Sequence, residues 1–314
     1  MSHTPVESSA PGKVILFGEH AVVYGEPAIA VPVSEVEARA TVEPAPSNSG
    51  LTLIAADLEE RFTLAEAPAG DPLALAARLT LDRLSVPVPD ATVVVRSSIP
   101  IASGLGSGAA VSTAVVRALA EFMGGALSSA QVSELVFEVE KIHHGTPSGI
   151  DNTVIAYEQP VYFVRAESSS PRLVSVGAPF TLVIADTGLP SPTKRLVSRV
   201  RVGWKRDRTR YGTLFEKIGD VAREGYRKIE AGDVEALGPL MDRNHALLVQ
   251  LGVSSPTLDR LVDAAREAGA SGAKLSGAGQ GGNMLALVDP GDAEDVTRKL
   301  KGAGATHVIC TTVA

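Results

Sequence analysis

Ile99-Pro100-Ile101-Ala102-Ser103-Gly104-Leu105-Gly106-Ser107-Gly108-Ala109-Ala110 places three glycines within five positions, immediately before an Ala- and Val-rich run. Glycine lets the backbone come close to a ligand and turn its N–H groups inward, and a helix that follows adds the positive end of its dipole at the same point. The alternating run ending at Val94-Val95 reads as a strand, and residues 109–120 (AAVSTAVVRALA) read as a helix starting near Ser107. The turn therefore lies between strand and helix. No Gly-Lys-Ser/Thr follows it and the G-x-G-x-x-G register is absent, which excludes the Walker and dinucleotide patterns. The residues leave two readings open: a cradle for phosphate, or a helix N-terminus that needs flexible residues.

Two further segments bear on that choice. Ala10-Pro11-Gly12-Lys13-Val14-Ile15-Leu16-Phe17-Gly18-Glu19-His20-Ala21-Val22-Val23-Tyr24-Gly25 is an apolar strand flanked by Lys13 and by the polar pair Glu19 and His20. A lysine entering a buried strand is costly unless an anion answers it. Lys274-Leu275-Ser276-Gly277-Ala278-Gly279-Gln280-Gly281-Gly282-Asn283 is a second glycine cluster, followed by the strand-like run 284–288, and is suited to bracing the first.

In this order and at these distances, the three segments resemble the signature motifs of the GHMP kinases, and the resemblance spans nearly the whole chain. The unbroken PGKVILFGEHAVVYG and the run HHGTPSGIDNTV at 143–154 look like the mevalonate kinase branch in its shorter archaeal and bacterial form. Galactokinases are expected to carry an Asp soon after Gly-Glu-His, homoserine kinases lack that run, and the related diphosphate decarboxylases carry an Asn-Ile-Ala…Lys-Tyr-Trp type of sequence in its place. The fold implied is α+β in two domains, a ribosomal protein S5 domain 2-like N-terminal domain over 1–172 and a ferredoxin-like C-terminal domain over 173–314, with the active site in the cleft between them.

The gross numbers agree with a globular enzyme. The chain has 314 residues, 45% hydrophobic and 21% charged, which allows one large or two ordinary domains. No apolar run is long enough to span a bilayer and the first residues carry neither a basic start nor an apolar core, so the chain reads as cytoplasmic. The formal charge of −7 argues against nucleic acid or anionic membrane as partners. Anionic ligands then require locally concentrated cations. The cluster Lys194, Arg195, Arg199, Arg201, Lys205, Arg206, Arg208 and Arg210 reads mostly as a solvated helix face, with the first members, after Pro190-Ser191-Pro192, within reach of a substrate. The single cysteine, Cys310, excludes an internal disulfide and is expected as a buried strand residue. Trp204 reads as a packing anchor, and His143 and His144 lack a third metal ligand at suitable spacing, so both read as structural.

Strands are expected near 13–18, 28–42, 51–55, 92–97, 161–165, 181–186, 283–288 and 306–312. Helices are expected near 72–84, 107–123, 129–143, 148–157, 193–209, 213–231, 233–251, 256–268 and 291–302, with a turn-rich stretch at Ser168-Ser169-Ser170-Pro171.

The resemblance implies ATP-dependent phosphorylation of the 5-hydroxyl of (R)-mevalonate, giving 5-phosphomevalonate and ADP in isoprenoid precursor synthesis. Phosphoryl transfer needs a phosphate cradle, Mg²⁺ on oxygen ligands and a group that positions or deprotonates the acceptor hydroxyl. The cradle implied is Ser103, Gly104, Leu105, Gly106, Ser107, Gly108 and Ala109, braced by Ser276, Gly277 and Gly279. The metal ligands implied are Ser107 and Glu140; Glu140 by its residues alone reads equally as a surface carboxylate. Asp151 matches the family's catalytic aspartate, although an Asp-Asn pair beside Pro-Ser-Gly also reads as a helix cap or turn. Lys13 is its implied catalytic partner; a carboxylate beside an ammonium is a weak base, so orientation and late proton capture are its expected work. Glu19, His20, Tyr24 and Thr193 are implied at the acceptor, with His20 reading alternatively as a core histidine.

Two departures from the family pattern stand out: Gly108 replaces the second of two usual serines, and Asn283 stands where many members have cysteine. The alternatives are a GHMP kinase of another alcohol such as phosphomevalonate or a sugar, an ATP-dependent decarboxylase, and a sensor of the same fold without turnover. A sensor should have lost part of the set Lys13, Glu140 and Asp151, all present here. Homodimerisation is compatible with the family and is not visible in the residues.

Overall fold

The computed structural model describes residues 4–100, 103–144, 147–165, 171–191 and 193–314. Ile101, Ala102, the turn at Ser168-Ser169-Ser170 and Pro192 lie outside the described residues, as do the side chains of His143 and His144. In chain order the elements are β1 (Val6–Phe17), β2 (Ala28–Pro44), β3 (Leu51–Ala55), β4 (Glu60–Thr63), α1 (Pro72–Leu84), β5 (Ala91–Ser97), α2 (Ser107–Phe122), α3 (Ser129–His144) and α4 (Ile150–Tyr157). Then follow β6 (Val161–Phe163), β7 (Arg172–Leu173), β8 (Phe180–Asp186), α5 (Thr193–Arg206), α6 (Arg208–Ala231), α7 (Leu237–Leu251), α8 (Pro256–Glu267), β9 (Gly272–Leu275), β10 (Asn283–Val288), α9 (Ala293–Gly302) and β11 (His307–Val313). Among the described residues no helix is long and apolar enough to cross a membrane.

The chain divides into two compact units that interleave along the sequence. The first comprises Met1–Gly12, Val36–Pro100 and Gly106–Glu158. In it β3 pairs in parallel with β5, β4 lies antiparallel on β3, and the C-terminal half of β2 lies antiparallel on β5. Helix α2 is the centre of this unit, touching α1, α3, α4 and β5. Its buried positions are mostly Ala, Val, Ser and Thr, and such small side chains let neighbouring backbones approach from several sides. Asp71 starts α1, accepting from the Ala74 N–H at 2.8 Å with Pro72 in the first turn.

The second unit comprises Lys13–Glu35, Ile101–Leu105 and Gln159–Ala314. Its sheet has the order β11-β8-β10-β9, all antiparallel. Numbered within this sheet the order is 4-1-3-2, the arrangement of a split βαβ or ferredoxin-like motif. Every residue of β10 is buried, as expected of a strand covered on both faces. On β9, side chains of the neighbouring helices occupy the edge that β10 leaves free. The Ala273 N–H donates to Asp242 Oδ1 at 2.9 Å, Arg266 donates to the Ala273 carbonyl at 3.1 Å, and the Leu275 N–H donates to His245 Nδ1 at 3.3 Å. Helix α7 thus supplies what a further strand would have supplied.

Most expected elements are present, with differences that have local causes. β1 begins at Val6 instead of 13, because Glu7 gains partners in Arg39 (2.6 Å) and Thr41 (3.2 Å) of β2. Helix α4 starts at Ile150, two residues late, since Gly149 at φ 93° is left-handed. One helix to 209 and a second from 213 are instead divided at Asp207, whose carboxylate accepts from the Arg210 N–H at 2.9 Å. Three strands of two to four residues, β4, β7 and β9, were too short to leave a periodic signal. Cys310 is exposed, contrary to the expected buried position: β11 lies at the sheet edge, and along it Thr311 and Val313 turn inward while Cys310 and Thr312 turn out.

α7 approaches β9 at a distance only glycine permits: a Cβ on Gly272 would lie 2.1 Å from the Gly238 carbonyl oxygen, and one on Gly238 2.2 Å from that of Ser271. Gly272→Ala is expected to lower unfolding free energy by about 1–3 kcal/mol through overpacking. Gly70→Ala, with nothing within 4 Å of the new Cβ, is expected to stay within about 0.5 kcal/mol of wild type. Urea titration of the two variants checks the contrast.

Candidate functional site

The glycine turn carries its donors where a helix leaves them free. Gly104 at φ 89° and Gly106 at φ 78° take conformations closed to most side chains, and Gly106 is the N-cap of α2 without a side-chain cap. Leu105 between them is buried and pins the turn, and its carbonyl accepts the Lys13 N–H at 2.9 Å. Among the described residues no backbone hydrogen bond engages the N–H groups of Gly104, Gly106, Ser107 or Gly108. These are orphan donors at the positive end of a helix, the arrangement that receives an anion.

In the same unit as α2, Glu140 sits near the end of α3 with 4% exposure. A Cβ on Gly108 would lie 3.2 Å from its Oε1. The carboxylate therefore lies close beside Gly108, and a side chain there would require it to shift slightly. Asp151 lies in the first turn of α4, where the helix dipole favours a negative charge. Its neighbour Asn152 is committed to structure, donating to the Ser133 carbonyl at 3.1 Å and hydroxyl at 2.9 Å.

The remaining expected residues belong to the second unit. Lys13 is 4% exposed on β1. Ser276 pairs with both backbone groups of Ile15: its hydroxyl accepts the Ile15 N–H at 3.1 Å and donates to the Ile15 carbonyl at 2.9 Å. Glu19 and Lys274, both fully buried side chains, form an ion pair. Asn244 Nδ2 donates to the other Glu19 oxygen at 2.9 Å, and Lys274 Nζ also donates to the carbonyls of Leu275 (2.6 Å) and Ile15 (3.5 Å). Burial holds the Lys274 pKa below its usual value, and the Glu19 charge opposes that. Glu19, expected at the acceptor, thus has each carboxylate oxygen engaged within the protein.

His20 is the centre of a γ-turn, with φ 60° and the Ala21 N–H bonded to the Glu19 carbonyl at 2.7 Å. This is a strained conformation. Its Nε2 lies 2.9 Å from the Ala278 carbonyl, which can only accept, so Nε2 carries the proton. Burial lowers the pKa of the ring, leaving it neutral with Nδ1 as a bare acceptor. Tyr24 stacks on Phe215 at 4.0 Å and tilts against Trp204 at 5.2 Å, which bears out Trp204 as a packing residue. The Tyr24 hydroxyl is buried without a partner among the described residues, and burial raises its pKa.

Thr193 is exposed at the start of α5, its hydroxyl 3.4 Å from the Ser191 carbonyl. The basic cluster on α5 is largely a solvated face around the buried Leu196 and Val200; Arg199 bonds the Gly252 carbonyl and Arg208 lies over Trp204 at 4.8 Å. A separate open groove of about 1110 Å³ between α8 and α9, bordered by Asp259, Arg260, Arg298 and Lys299, contains none of the expected residues. Among the described residues no group of three or more His, Cys, Asp or Glu side chains is placed to hold a metal.

The residues that sequence reasoning left unassigned are Lys274, Asn244, His245 and Asp242. A signal for two of them existed: Asn244-His245 interrupts the apolar side of α7, among the buried Leu240, Met241, Leu247 and Leu248.

A glycine turn with unengaged N–H groups at a helix start, in a mixed α/β chain with a ferredoxin-like second sheet, is suited to a phosphorylated ligand. The family profile described as "GHMP kinases N terminal domain" matches residues 72–159, and that described as "GHMP kinases C terminal" matches 226–306. The mevalonate kinase of Pyrococcus furiosus is 35% identical, over 97% of this chain and 95% of its own. The crystal structure of L. major mevalonate kinase in complex with R-mevalonate matches with a TM-score of 0.86 and 29% identity, covering 99% of this chain and 97% of that one. That of the Methanococcus jannaschii mevalonate kinase matches with a TM-score of 0.82 and 27% identity, over 99% and 98%. The chain belongs to the GHMP kinases, in the branch of the mevalonate kinases. As a member of that kinase family it uses ATP as co-substrate.

Lys274→Met leaves Glu19 buried without its cation and is expected to cost about 3–5 kcal/mol, whereas Glu19→Gln with Lys274→Met together should recover part of that loss. A double-mutant cycle in urea measures it. A second expectation concerns His245, whose pKa burial lowers from 6.5 to about 4. Between those values the unfolded chain binds a proton that the folded chain does not. Stability is therefore complete above pH 6.5 and falls as pH drops toward 4, by up to about 3 kcal/mol, with no further loss from this group below. Urea midpoints at pH 7 and pH 5 should fall further for wild type than for His245→Gln.

Proposed function

We propose that this protein transfers the γ-phosphoryl group of ATP to the 5-hydroxyl of (R)-mevalonate, giving 5-phosphomevalonate and ADP. The alcohol oxygen forms the new bond to γ-phosphorus as the bond to the β,γ-bridging oxygen breaks, and the hydroxyl proton passes to Asp151. Two observations support the reading: the glycine turn, in which no backbone hydrogen bond among the described residues engages the N–H groups of Gly104, Gly106, Ser107 or Gly108, and similarity to mevalonate kinases along nearly the whole chain.

Each residue then has a stated task. The N–H groups of Ser103, Gly104, Leu105, Gly106, Ser107, Gly108 and Ala109 receive the phosphates of the nucleotide, and Ser276, Gly277 and Gly279 brace them. An N-terminal domain over residues 1–172 carries the turn, and a C-terminal domain over 173–314 carries the brace. Asp151 orients the acceptor hydroxyl and takes its proton late, as a loose transition state allows. Lys13 stabilises the nucleophilic oxygen and the transferring phosphoryl group. His20, through Nδ1, together with Tyr24 and Thr193, contacts the acceptor, and Glu19 holds this segment in place through Lys274.

The room at Gly108 beside Glu140 and the hydroxyl of Ser107 make an oxygen donor set that suits Mg²⁺. The ion would neutralise charge on the β- and γ-phosphates. Glu140 and Ser107 would hold it.

Asp151→Asn is expected to lower kcat by a factor on the order of 10² to 10⁴ with little change in ATP affinity. Wild type assayed for ADP release on mevalonate, phosphomevalonate and galactose, with carbon dioxide followed in parallel, separates this activity from other alcohol kinases and from a decarboxylase. Near-wild-type turnover by Asp151→Asn would remove the assignment of the base, and no ADP release with any alcohol would remove the activity.

A further inference from the structure

Asn283 is the first residue of β10, directly after the second glycine cluster, and its backbone carbonyl accepts the Ser276 N–H at 2.9 Å. Its side chain is buried, with 3% exposure. Nδ2 donates to the backbone carbonyl of Ser103 at 2.7 Å, while Oδ1 is buried with no partner among the described residues. Gly282 leaves the space for this approach, since a Cβ there would lie 3.0 Å from the same Ser103 oxygen.

A trans peptide is planar, so its C=O and N–H point in opposite directions. With the Ser103 carbonyl held toward Asn283, the Gly104 N–H points away from β10. Two residues on, the Leu105 carbonyl is held by the Lys13 N–H at 2.9 Å, and the Gly106 N–H is turned away from β1 by the same rule. Alternate peptides of the turn are thus pinned by their carbonyls, one to each strand, and their N–H groups are set before any anion arrives.

We infer that Asn283 is a positioning residue for the nucleotide: it orients the Ser103–Gly104 peptide so that the Gly104 N–H is presented to the polyphosphate. The inference rests on the function proposed above. Among the described residues Oδ1 is buried without a partner, and Nδ2 is committed to the Ser103 carbonyl. A leucine of similar volume removes the unpaired oxygen, but it also takes the donor away from the buried Ser103 carbonyl, so its effects on stability oppose one another. Nucleotide affinity, and not stability, therefore separates a positioning role from a packing role.

The experiment combines thermal denaturation, calorimetric titration with ADP and steady-state kinetics on the full chain. Asn283→Leu is expected to fold with a Tm near or somewhat below that of wild type, to raise the ADP Kd and the KM for ATP about 3- to 10-fold, the equivalent of one hydrogen bond, and to leave the KM for mevalonate within about twofold. Asn283→Asp, of the same shape but without the donor, sets a carboxylate against the Ser103 carbonyl and should weaken nucleotide binding further than Asn283→Leu. If Asn283→Leu does not fold, Asn283→Ser decides by the same readings. Wild-type ADP affinity in a folded variant, or equal rises in the KM values for ATP and mevalonate, overturns the inference. Absence of ADP binding by wild type overturns the proposed function, and the inference with it.

Discussion

A lysine ammonium with no exposure, Lys274, sets the strongest constraint in the second unit. Removing a charge from water costs several kcal/mol even after relaxation, so such a group survives only with its hydrogen bonds and its countercharge in place. Glu19 supplies the charge and the carbonyls of Leu275 and Ile15 supply acceptors. Those partners come from β1, from the segment just after it and from β9. Meeting the demands of one ammonium therefore brings the end of the first motif against the start of the third, and Asn244 of α7 completes the set through the second Glu19 oxygen. The strained γ-turn at His20 directly follows Glu19 in the chain, and the His20 ring is held in turn by the Ala278 carbonyl.

The same economy governs the glycine turn. Phosphoryl transfer asks the protein for little covalent chemistry and for much prior placement of donors, because the reacting charge already resides on the nucleotide. Donors on a turn are useful only if their direction is set, and glycine alone leaves direction free. Carbonyls held by Lys13 and Asn283 remove that freedom while leaving the N–H groups unengaged. Glu140 lies close beside Gly108, where a side chain would require the carboxylate to shift slightly.

Much of this was legible in the residues. The turn between strand and helix, the apolar strand carrying Lys13, and the two long helical runs of the first unit follow from local pattern, since glycine spacing and apolar periodicity are properties of a short window. The division of the basic run at Asp207 was not, because it depends on one side chain capping one amide. The exposure of Cys310 was not, because an edge strand and a central strand share an alternating pattern, and only the pairing partners tell them apart. The roles of Lys274, Asn244 and His245 were hidden for a related reason. A buried polar residue has meaning only through its partners, and Glu19 lies 255 positions from Lys274 and 225 from Asn244.

Local chemistry in the chain settled which segments could cradle an anion, which could not cross a membrane, and to which kinase family the three motifs point. Long-range packing settled what those segments are committed to: that Glu19 answers an ammonium, that Ser276 zips to Ile15, and that a side-chain amide aims the Ser103 peptide. The physical reason is that backbone propensity acts over a few residues, whereas desolvation must be compensated by whatever group the fold brings within 3 Å or so, wherever in the chain it originates.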